Sequence, residues 1–228
     1  MPRSMPDNLK RFVSRGLMAF FMLLMPFATA LAHPHVFVDA KAELLFDTKG
    51  RLITIRHVWT FDPAFSAFAT QGLDKNHDGI LSPDELAPLA KTNVTSLNHY
   101  SFFTILTIGG KKIPLKFPDV YFLRWQADHL TLFYQLPLMQ PIAVQQKATL
   151  EVYDPGYFVA FTFEKKDPVT LFHAPADCHA EYHPPEPIDA HIMAELAAIP
   201  IDQHDLPPAL RDAAVGLANI ITMECSRS

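Results

Sequence analysis

The chain has 228 residues, a formal net charge of −5 at pH 7, and 49% hydrophobic residues. Acidic and basic residues are interspersed along it, so nothing indicates the basic patch that a nucleic-acid-binding surface requires. The length fits one well-cored domain or two small ones. Composition therefore excludes a nucleic-acid-binding protein and favours a globular one.

The first 32 residues have the pattern of a secretory signal peptide. Four basic residues precede an apolar run over 17–27, and Ala30-Leu31-Ala32 follows it. This run is too short for a membrane-spanning helix, which needs about 20 apolar residues. We expect cleavage after Ala32 and a periplasmic, soluble single domain over 33–228. A retained signal anchor and a cut after Ala30 are the alternatives.

The next segments predict a hairpin followed by two helices. Residues 35–47 and 52–61 are rich in aromatic and β-branched residues and flank a turn at Lys49-Gly50, which indicates paired strands. Residues 63–73 and 83–99 have proline near the first helical turn and apolar residues at three-to-four spacing, which indicates helices. We expect 63–99 to be an EF-hand-like helical insertion.

The rest of the chain predicts more strands and then a helical end. Residues 100–183 carry short apolar runs with turns about every 8 to 12 residues, a spacing typical of antiparallel sandwiches. Residues 184–228 are expected to form a Pro-rich and helical C-terminal tail, with helices near 188–198 and 206–222. The predicted fold class is mainly β with a helical insertion (α+β): an antiparallel β-sandwich-like domain carrying an EF-hand-like helix-loop-helix and C-terminal helices.

The segment between the two predicted helices matches the twelve-residue calcium loop of EF-hands. Oxygen ligands occupy the required positions and a glycine permits the sharp turn at position six: Asp74, Asn76, Asp78, Gly79, Ile80 (backbone carbonyl), Ser82 and Glu85. A single extracellular loop of this kind would bind calcium at about 10⁻⁴ to 10⁻³ M and stiffen the insertion. The alternative is a loop that keeps this shape but binds too weakly to matter.

Cleavage after Ala32 would expose His33-Pro34-His35 at a new amino terminus. The terminal amine and imidazole of His33 could chelate one ion and His35 could add a third nitrogen, a set that suits copper, nickel, cobalt or zinc. The common amino-terminal site with histidine third needs an amide hydrogen at residue two, which Pro34 lacks. The alternative is a polar lead-in to the first strand.

A second candidate metal set is His179, Glu181 and His183. These residues alternate, so on a strand they would face the same side. Two imidazoles and a carboxylate can bind zinc or a similar ion. A solvated strand face is the simpler interpretation.

Cys178 and Cys225 are the two cysteines of the chain. An oxidising compartment favours a disulfide between them, and closing this loop would stabilise the fold by about 4 kcal/mol in the chain-entropy model. Two buried thiols or a thiolate metal ligand are the alternatives.

Signatures of common enzyme classes are missing from the sequence. It has no Gly-x-Ser-x-Gly turn, no His-Glu-x-x-His and no glycine-rich phosphate loop. Asp62 and Asp154 each precede a proline, where aspartate more often opens a turn or caps a helix than acts in catalysis. His57 and His99 flank apolar stretches, which favours core histidines. We expect a protein that is not an enzyme.

Several segments together resemble a known family. They are the signal peptide, His33-Pro34-His35-Val36, residues 58–62, the loop over 74–85 and residues 153–158. The set is similar to the bacterial exported proteins grouped as domain of unknown function 1007, over nearly all of 33–228. Members are described as periplasmic components of an uncharacterised transport system and tend to be encoded beside nickel/cobalt membrane transporters. The resemblance implies a periplasmic accessory protein that binds a transition metal ion for an inner-membrane metal transporter.

Two other functions fit parts of the sequence. One is a calcium-stiffened interaction module that docks on a membrane partner and carries no transition metal. The other is a copper-dependent oxidative enzyme, because copper monooxygenases that attack polysaccharides hold their metal through an amino-terminal histidine on a β-sandwich. Those enzymes have the second imidazole far along the chain, whereas here it follows two residues later.

Overall fold

A computed structural model describes residues 34–200 and 206–225, and these ranges contain eleven strands and four α-helices. The strands are β1 (Val36–Phe46), β2 (Leu52–Phe61), β3 (Thr104–Ile108), β4 (Lys111–Lys112), β5 (Tyr121–Gln126), β6 (His129–Ile142), β7 (Ala148–Val152), β8 (Val159–Phe163), β9 (Val169–Phe172), β10 (Cys178–His183) and β11 (Asn219–Cys225). The helices are α1 (Pro63–Ala69), α2 (Pro83–Asn98), α3 (Ala190–Ala197) and α4 (Pro208–Gly216). The predicted signal peptide over 1–32 and His33 lie outside the described residues.

The strands form two sheets. The first has the order β5-β6-β2-β1-β8, with β9 also pairing with β1, and the second has the order β10-β11-β7-β3-β4. The predicted mainly β fold with helices is confirmed. The expectation of purely antiparallel strands is wrong, because β8 and β9 pair with β1 in parallel. The chain crosses from β7 in the second sheet to β8 in the first, where it runs in the same direction as β1.

One hydrophobic core draws on both sheets and on α2. Burial alternates along β1 and along most of β2, as expected for strands with one face on a core. Trp59 of β2 and Leu150 of β7 are each 1% exposed. His57 Nε2 lies 3.1 Å from Thr104 Oγ1, which links β2 in the first sheet to β3 in the second.

The helical insertion forms where the proline and apolar spacing predicted it. Ser82 caps α2 with its hydroxyl, and the Glu85 side chain bonds back to the Ser82 N–H, so a capping box fixes the start of the helix. Leu86, Ala90 and Val94 form the buried stripe of α2, which packs against β5. Helix α1 ends at Ala69, four residues before the predicted end.

The C-terminal segment is a strand where a helix was predicted. Helix α4 ends at Gly216, and the prediction of a helix up to 222 is wrong because Asn219–Cys225 forms β11 between β10 and β7. The β-branched run Ile220-Ile221-Thr222 has a high strand propensity. Ile221 is buried and pairs with β10 on one side and β7 on the other. The expected C-terminal tail is therefore partly an interior strand of the second sheet.

The predicted disulfide is present. Cys178 and Cys225 are bonded and stand opposite each other in the β10–β11 pair. This bond is consistent with an oxidising compartment outside the cytosol. Within the described ranges, every helix is too short or too polar to cross a bilayer.

Candidate metal loop and apolar cavity

The Asp74–Glu85 segment forms a tight loop that its own backbone N–H groups close. Gly79 N–H donates to Asp74 Oδ2 at 3.0 Å. The φ of Gly79 is +79°, a left-handed value that glycine adopts without strain. Ile80 N–H donates to Asp78 Oδ1 at 2.8 Å, and Asp78 N–H donates to Asn76 Oδ1 at 3.1 Å. Four of the predicted ligand residues are therefore gathered around the turn at Gly79.

Glu85 joins the start of α2 to the beginning of the loop. Its Oε2 accepts from the Ser82 N–H at 3.0 Å and from the Ser82 hydroxyl at 2.7 Å, and its Oε1 accepts from the Lys75 N–H at 2.9 Å. These bonds, those from Ser82 foremost, lower the pKa of Glu85 to about 2. Glu85 is therefore a carboxylate at every pH at which the protein would work.

Asp74 carries the clearest indication of a missing partner. Its Oδ1 atom is buried and has no hydrogen-bond partner in the described chain. A buried carboxylate oxygen without a donor costs about 1 to 3 kcal/mol or more, and a cation would satisfy it. Carboxylate, amide, hydroxyl and carbonyl oxygens are the ligands that calcium prefers. The chemistry of these residue types therefore suits a calcium ion.

The carboxylates of this loop are also engaged with the protein itself. Among residues 34–200 and 206–225, no group of three or more His, Cys, Asp and Glu side chains is arranged to hold a metal. In the loop, Asp78 and Glu85 accept from backbone N–H groups, and Asn76 Nδ2 donates to Asp78 Oδ2 at 2.9 Å. Calcium binding at the loop remains a prediction.

Of the predicted amino-terminal metal pair, His35 lies within the described residues. Its N–H donates to Phe158 O at 2.9 Å, and its ring centroid lies 4.8 Å from that of Phe158. Its Nε2 atom is buried. The structure thus holds His35 beside the loop that precedes β8, one residue before β1 begins.

The second candidate set lies on a strand, as its alternation predicted. His179, Glu181 and His183 belong to β10, where His179 and Glu181 are exposed. His183 Nε2 lies 3.0 Å from Thr222 Oγ1 on β11 and 3.9 Å from Glu181 Oε2. These residues do not form a metal-holding group in the described chain, and the arrangement fits a solvated strand face.

The two aspartates that precede prolines have structural roles, as their setting predicted. Asp62 Oδ1 accepts from the Phe65 N–H at 2.9 Å and caps α1, while its Oδ2 accepts from the Phe37 N–H on β1 at 3.0 Å. Asp154 is buried, and its carboxylate accepts from the Gly156 N–H at 2.8 Å and the Val159 N–H at 3.0 Å.

His57 is a core histidine, as expected, whereas His99 is exposed. The Thr104 hydroxyl donates to Phe102 O at 2.7 Å, so its oxygen is left to accept from His57 Nε2–H. The buried Nδ1 atom of His57 has no hydrogen-bond partner in the described chain. Burial lowers the pKa of His57 to about 3, so the ring is neutral at pH 7.

A cavity of about 670 Å³ was not predicted from the sequence. Its walls come from β1, β2, α1, α2, the turn after α2, β6, the loop before β8, β8, and residues 206–215 in and before α4. They are mainly apolar and aromatic, with Val38, Trp59 and Phe158 among them. Three of the segments that carry the family resemblance contribute to this lining: Val36, residues 59 and 61, and residues 154–156 and 158.

Comparisons with known proteins give a family and two relatives. The family described as protein of unknown function (DUF1007) has a model that matches residues 18–225. An uncharacterized protein of Haemophilus influenzae is 24% identical over 196 residues, which are 86% of this chain and 92% of that protein. An uncharacterized 15.5 kDa protein in the trpE 3′ region of Spirochaeta aurantia is 28% identical over 98 residues, which are 43% of this chain and 70% of that protein. None of these three descriptions names a catalytic activity.

Proposed function

This chain belongs to the DUF1007 family of proteins of unknown function, and we propose that it is a periplasmic, non-enzymatic accessory protein that binds calcium and presents a transition metal ion to a membrane transporter. The calcium part rests on one observation above all: Asp74 Oδ2 accepts from Gly79, while Asp74 Oδ1 is buried with no partner in the described residues. The transition-metal part rests on the sequence His33-Pro34-His35 and on the family's tendency to be encoded beside nickel/cobalt transporters.

In this proposal calcium stiffens the helical insertion. The ion would be held by the loop residues Asp74, Asn76, Asp78, Ile80, Ser82 and Glu85. It would supply positive charge among three carboxylates and would tie the segment after α1 to the first turn of α2. Because α2 packs on β5 through its buried stripe, order in the loop would be transmitted to one edge of the first sheet.

The transition ion would be held by the amine and imidazole of His33 together with the imidazole of His35. Only unprotonated nitrogens bind metals. The affinity for the transition ion should therefore fall steeply below about pH 6.5, the ordinary histidine pKa. Because His35 Nε2 is buried beside Phe158, metal binding through that atom would require the ring to turn away from Phe158. A carrier needs ligands that can release the ion, and the His35 ring could do so by returning to its contact with Phe158.

Calorimetric titration with calcium tests the loop. Glu85→Gln keeps a side chain that can serve the capping box but removes the bidentate carboxylate. Asp84→Asn removes an equal charge one residue away, outside the ligand set. We expect calcium binding in the native protein and in Asp84→Asn, and its loss in Glu85→Gln. Equal calcium binding in all three proteins would contradict the assignment of the site.

Titration with nickel, cobalt, copper and zinc tests the amino terminus. A chain that begins at His33 is compared with a chain that begins at Ala32, which keeps both imidazoles but moves the amine by one residue. We expect the extension to weaken binding at least tenfold. His33→Ala/His35→Ala should abolish binding, whereas the matched pair His179→Ala/His183→Ala should leave it unchanged.

The second candidate function is an interaction module that holds calcium but carries no transition metal. The burial of His35 Nε2 and the contact of its ring with Phe158 favour it, because both suit a structural histidine. Unchanged support of the transporter in cells that carry His33→Ala/His35→Ala would establish this alternative and overturn the carrier role.

A further inference from the structure

The apolar cavity has the size and the enclosing walls of a small-molecule site. Its volume of about 670 Å³ lies within the range of about 300 to 1,000 Å³ that is usual for ligand pockets. Trp59 and Phe103, two of its walls, are 1% and 7% exposed, so these side chains are fixed by the core. An apolar ligand in this space would bury its surface against a preformed wall.

The charged groups of the cavity differ in what they can offer a ligand. The two carboxylate oxygens of Asp154 accept from the N–H groups of Gly156 and Val159. Arg211 is exposed, and its Nε donates to a neutral acceptor, Leu206 O, at 3.0 Å. Among the described residues, Arg211 has no carboxylate partner. The lining therefore includes one positive charge, that of Arg211, without a carboxylate partner among the described residues, and a guanidinium suits an anion.

Two neutral donors on the lining residues lack acceptors. Asn93 Nδ2 and Trp59 Nε1 are buried and have no hydrogen-bond partner in the described part of the chain. Buried polar atoms in folded proteins are nearly always paired with protein, water or ligand. Because neither atom is accessible, a ligand oxygen could pair with it only after a shift of the side chain, so these donors do not by themselves define the head group of a ligand.

A strained turn forms part of the cavity wall. Ser101, Phe102 and Phe103 have φ values of 51°, 55° and 50°. A residue with a side chain is strained in this left-handed region, because its Cβ approaches the following carbonyl oxygen. The turn places Phe103 in the lining, and strained backbone of this kind is frequent at ligand-binding sites.

We propose that this cavity binds an amphipathic carboxylate, with its hydrocarbon chain among the apolar walls and its carboxylate on Arg211. The positive charge of Arg211 and the satisfied carboxylate of Asp154 favour an anionic head, and the apolar lining favours a hydrocarbon chain. No residue of the Asp74–Glu85 loop lines this cavity, so the proposal goes beyond the metal function proposed above.

The test is a fluorescence titration of the processed full chain in the presence of a chelator. Trp125→Phe leaves Trp59 as the reporter, since the chain has two tryptophans. Myristate below its micelle concentration is compared with methyl myristate, which keeps the hydrocarbon chain and lacks the charge. We expect myristate to change Trp59 emission and to bind at least tenfold more tightly than the ester.

Matched variants separate the charge from the cavity. Arg211→Gln should remove the difference between the acid and the ester, while Arg124→Gln, which lies outside the lining, should retain it. Ser96→Phe on the exposed side of α2 and Val159→Phe on β8 should each weaken myristate binding by filling the space. Two filling variants are used so that misfolding of one does not decide the result.

Three outcomes would overturn the proposal. They are equal affinity for myristate and its ester, retention of their difference in Arg211→Gln, and binding to phosphatidylglycerol vesicles without binding of monomeric myristate, which would indicate a membrane surface instead. Because the chelator removes metal ions, failure here would leave the metal function untouched.

Discussion

The calcium loop and the apolar cavity are built in opposite ways. The loop is a run of twelve consecutive residues, and its hydrogen bonds join positions at most ten residues apart, as between Lys75 and Glu85. The cavity brings together residues as distant in sequence as Val36 and Val215. The loop therefore depends on local geometry, whereas the cavity depends on the whole fold.

Because of this difference, we expect different substitutions to affect the calcium loop and the cavity. A change that loosens the packing of the two sheets should alter the cavity and leave the loop's affinity unchanged. A change of one loop ligand should do the reverse.

Removal of the disulfide should produce the largest difference between the two regions, because it should destabilise the sheets and leave calcium binding intact. Reduction of the Cys178–Cys225 bond, or the double variant Cys178→Ser/Cys225→Ser, should lower the free energy of unfolding by about 4 kcal/mol in the chain-entropy model. Denaturant unfolding with and without reductant measures this loss in the free energy of unfolding. The rise in melting temperature caused by calcium should persist after reduction. Unchanged stability after reduction would show that the sheets alone hold β11.

Acid should destabilise the core through His57. Its pKa falls from 6.5 to about 3 on folding because burial disfavours the charged ring. The unfolded chain therefore binds the proton first, and stability is lost below pH 6.5 at about 1.4 kcal/mol per unit until the folded pKa is reached. Between pH 7 and pH 4 this amounts to about 3 kcal/mol.

His57→Phe isolates this effect from all other acid titrations. The aromatic ring stays beside Trp59 and Tyr134, and Thr104 keeps its bond to Phe102 O. Denaturant unfolding at several pH values should show a shallower decline below pH 6.5 in the variant. Parallel pH profiles for the two proteins would contradict a neutral buried His57.

In the loop, acid removes a charge from Glu85, whereas in the core it would add one to His57. Its pKa is lowered, so its ionised form favours the folded state, and that contribution is complete above the ordinary value of 4.5 and disappears as pH falls toward about 2. Calcium affinity, measured by calorimetry, should therefore be nearly equal at pH 7 and pH 5.5, where transition-metal binding has already declined. A parallel loss of both would contradict separate ligand sets.

Calcium should stabilise the protein by a smaller amount. With a dissociation constant of about 10⁻⁴ to 10⁻³ M, 10 mM calcium adds about 1.4 to 2.7 kcal/mol, which is about 3 to 10 °C in melting temperature for a chain of this length. Scanning calorimetry measures it. Glu85→Gln should remove the shift and Asp84→Asn should retain it.

The smallest expected effect concerns Asp62, which caps α1 and accepts from the Phe37 N–H on β1. Asp62→Ala should cost about 1 kcal/mol, and Asp62→Asn should cost less because asparagine also caps helices well. Thermal unfolding measures both. Equal stabilities of the two variants would mean that the carboxylate charge, rather than the cap, matters.

Local features of the fold could be predicted from the sequence. The hairpin followed from β-branched residues around Lys49-Gly50, and helix α2 followed from Pro83 and the apolar spacing after it. The disulfide followed from the cysteine count and the expected compartment, and the structure confirms it. Each of these depends on a few neighbouring residues or on composition.

Non-local features could not be predicted in the same way. Parallel pairing of β8 with β1 depends on which sheet the chain enters after β7, and no local pattern encodes that choice. Residues 219–222 continue an apolar pattern after α4, so helix and strand were hard to distinguish until their pairing with β7 was known. The cavity was missed because its lining residues individually resemble core positions.

Mass analysis of the protein isolated from the periplasm under native conditions tests the central claim most directly. We predict a chain that begins at His33, contains the Cys178–Cys225 bond, and carries one calcium ion and one nickel, cobalt, copper or zinc ion. A chain that begins at another residue, or one that begins at His33 and takes up no transition metal, would contradict it.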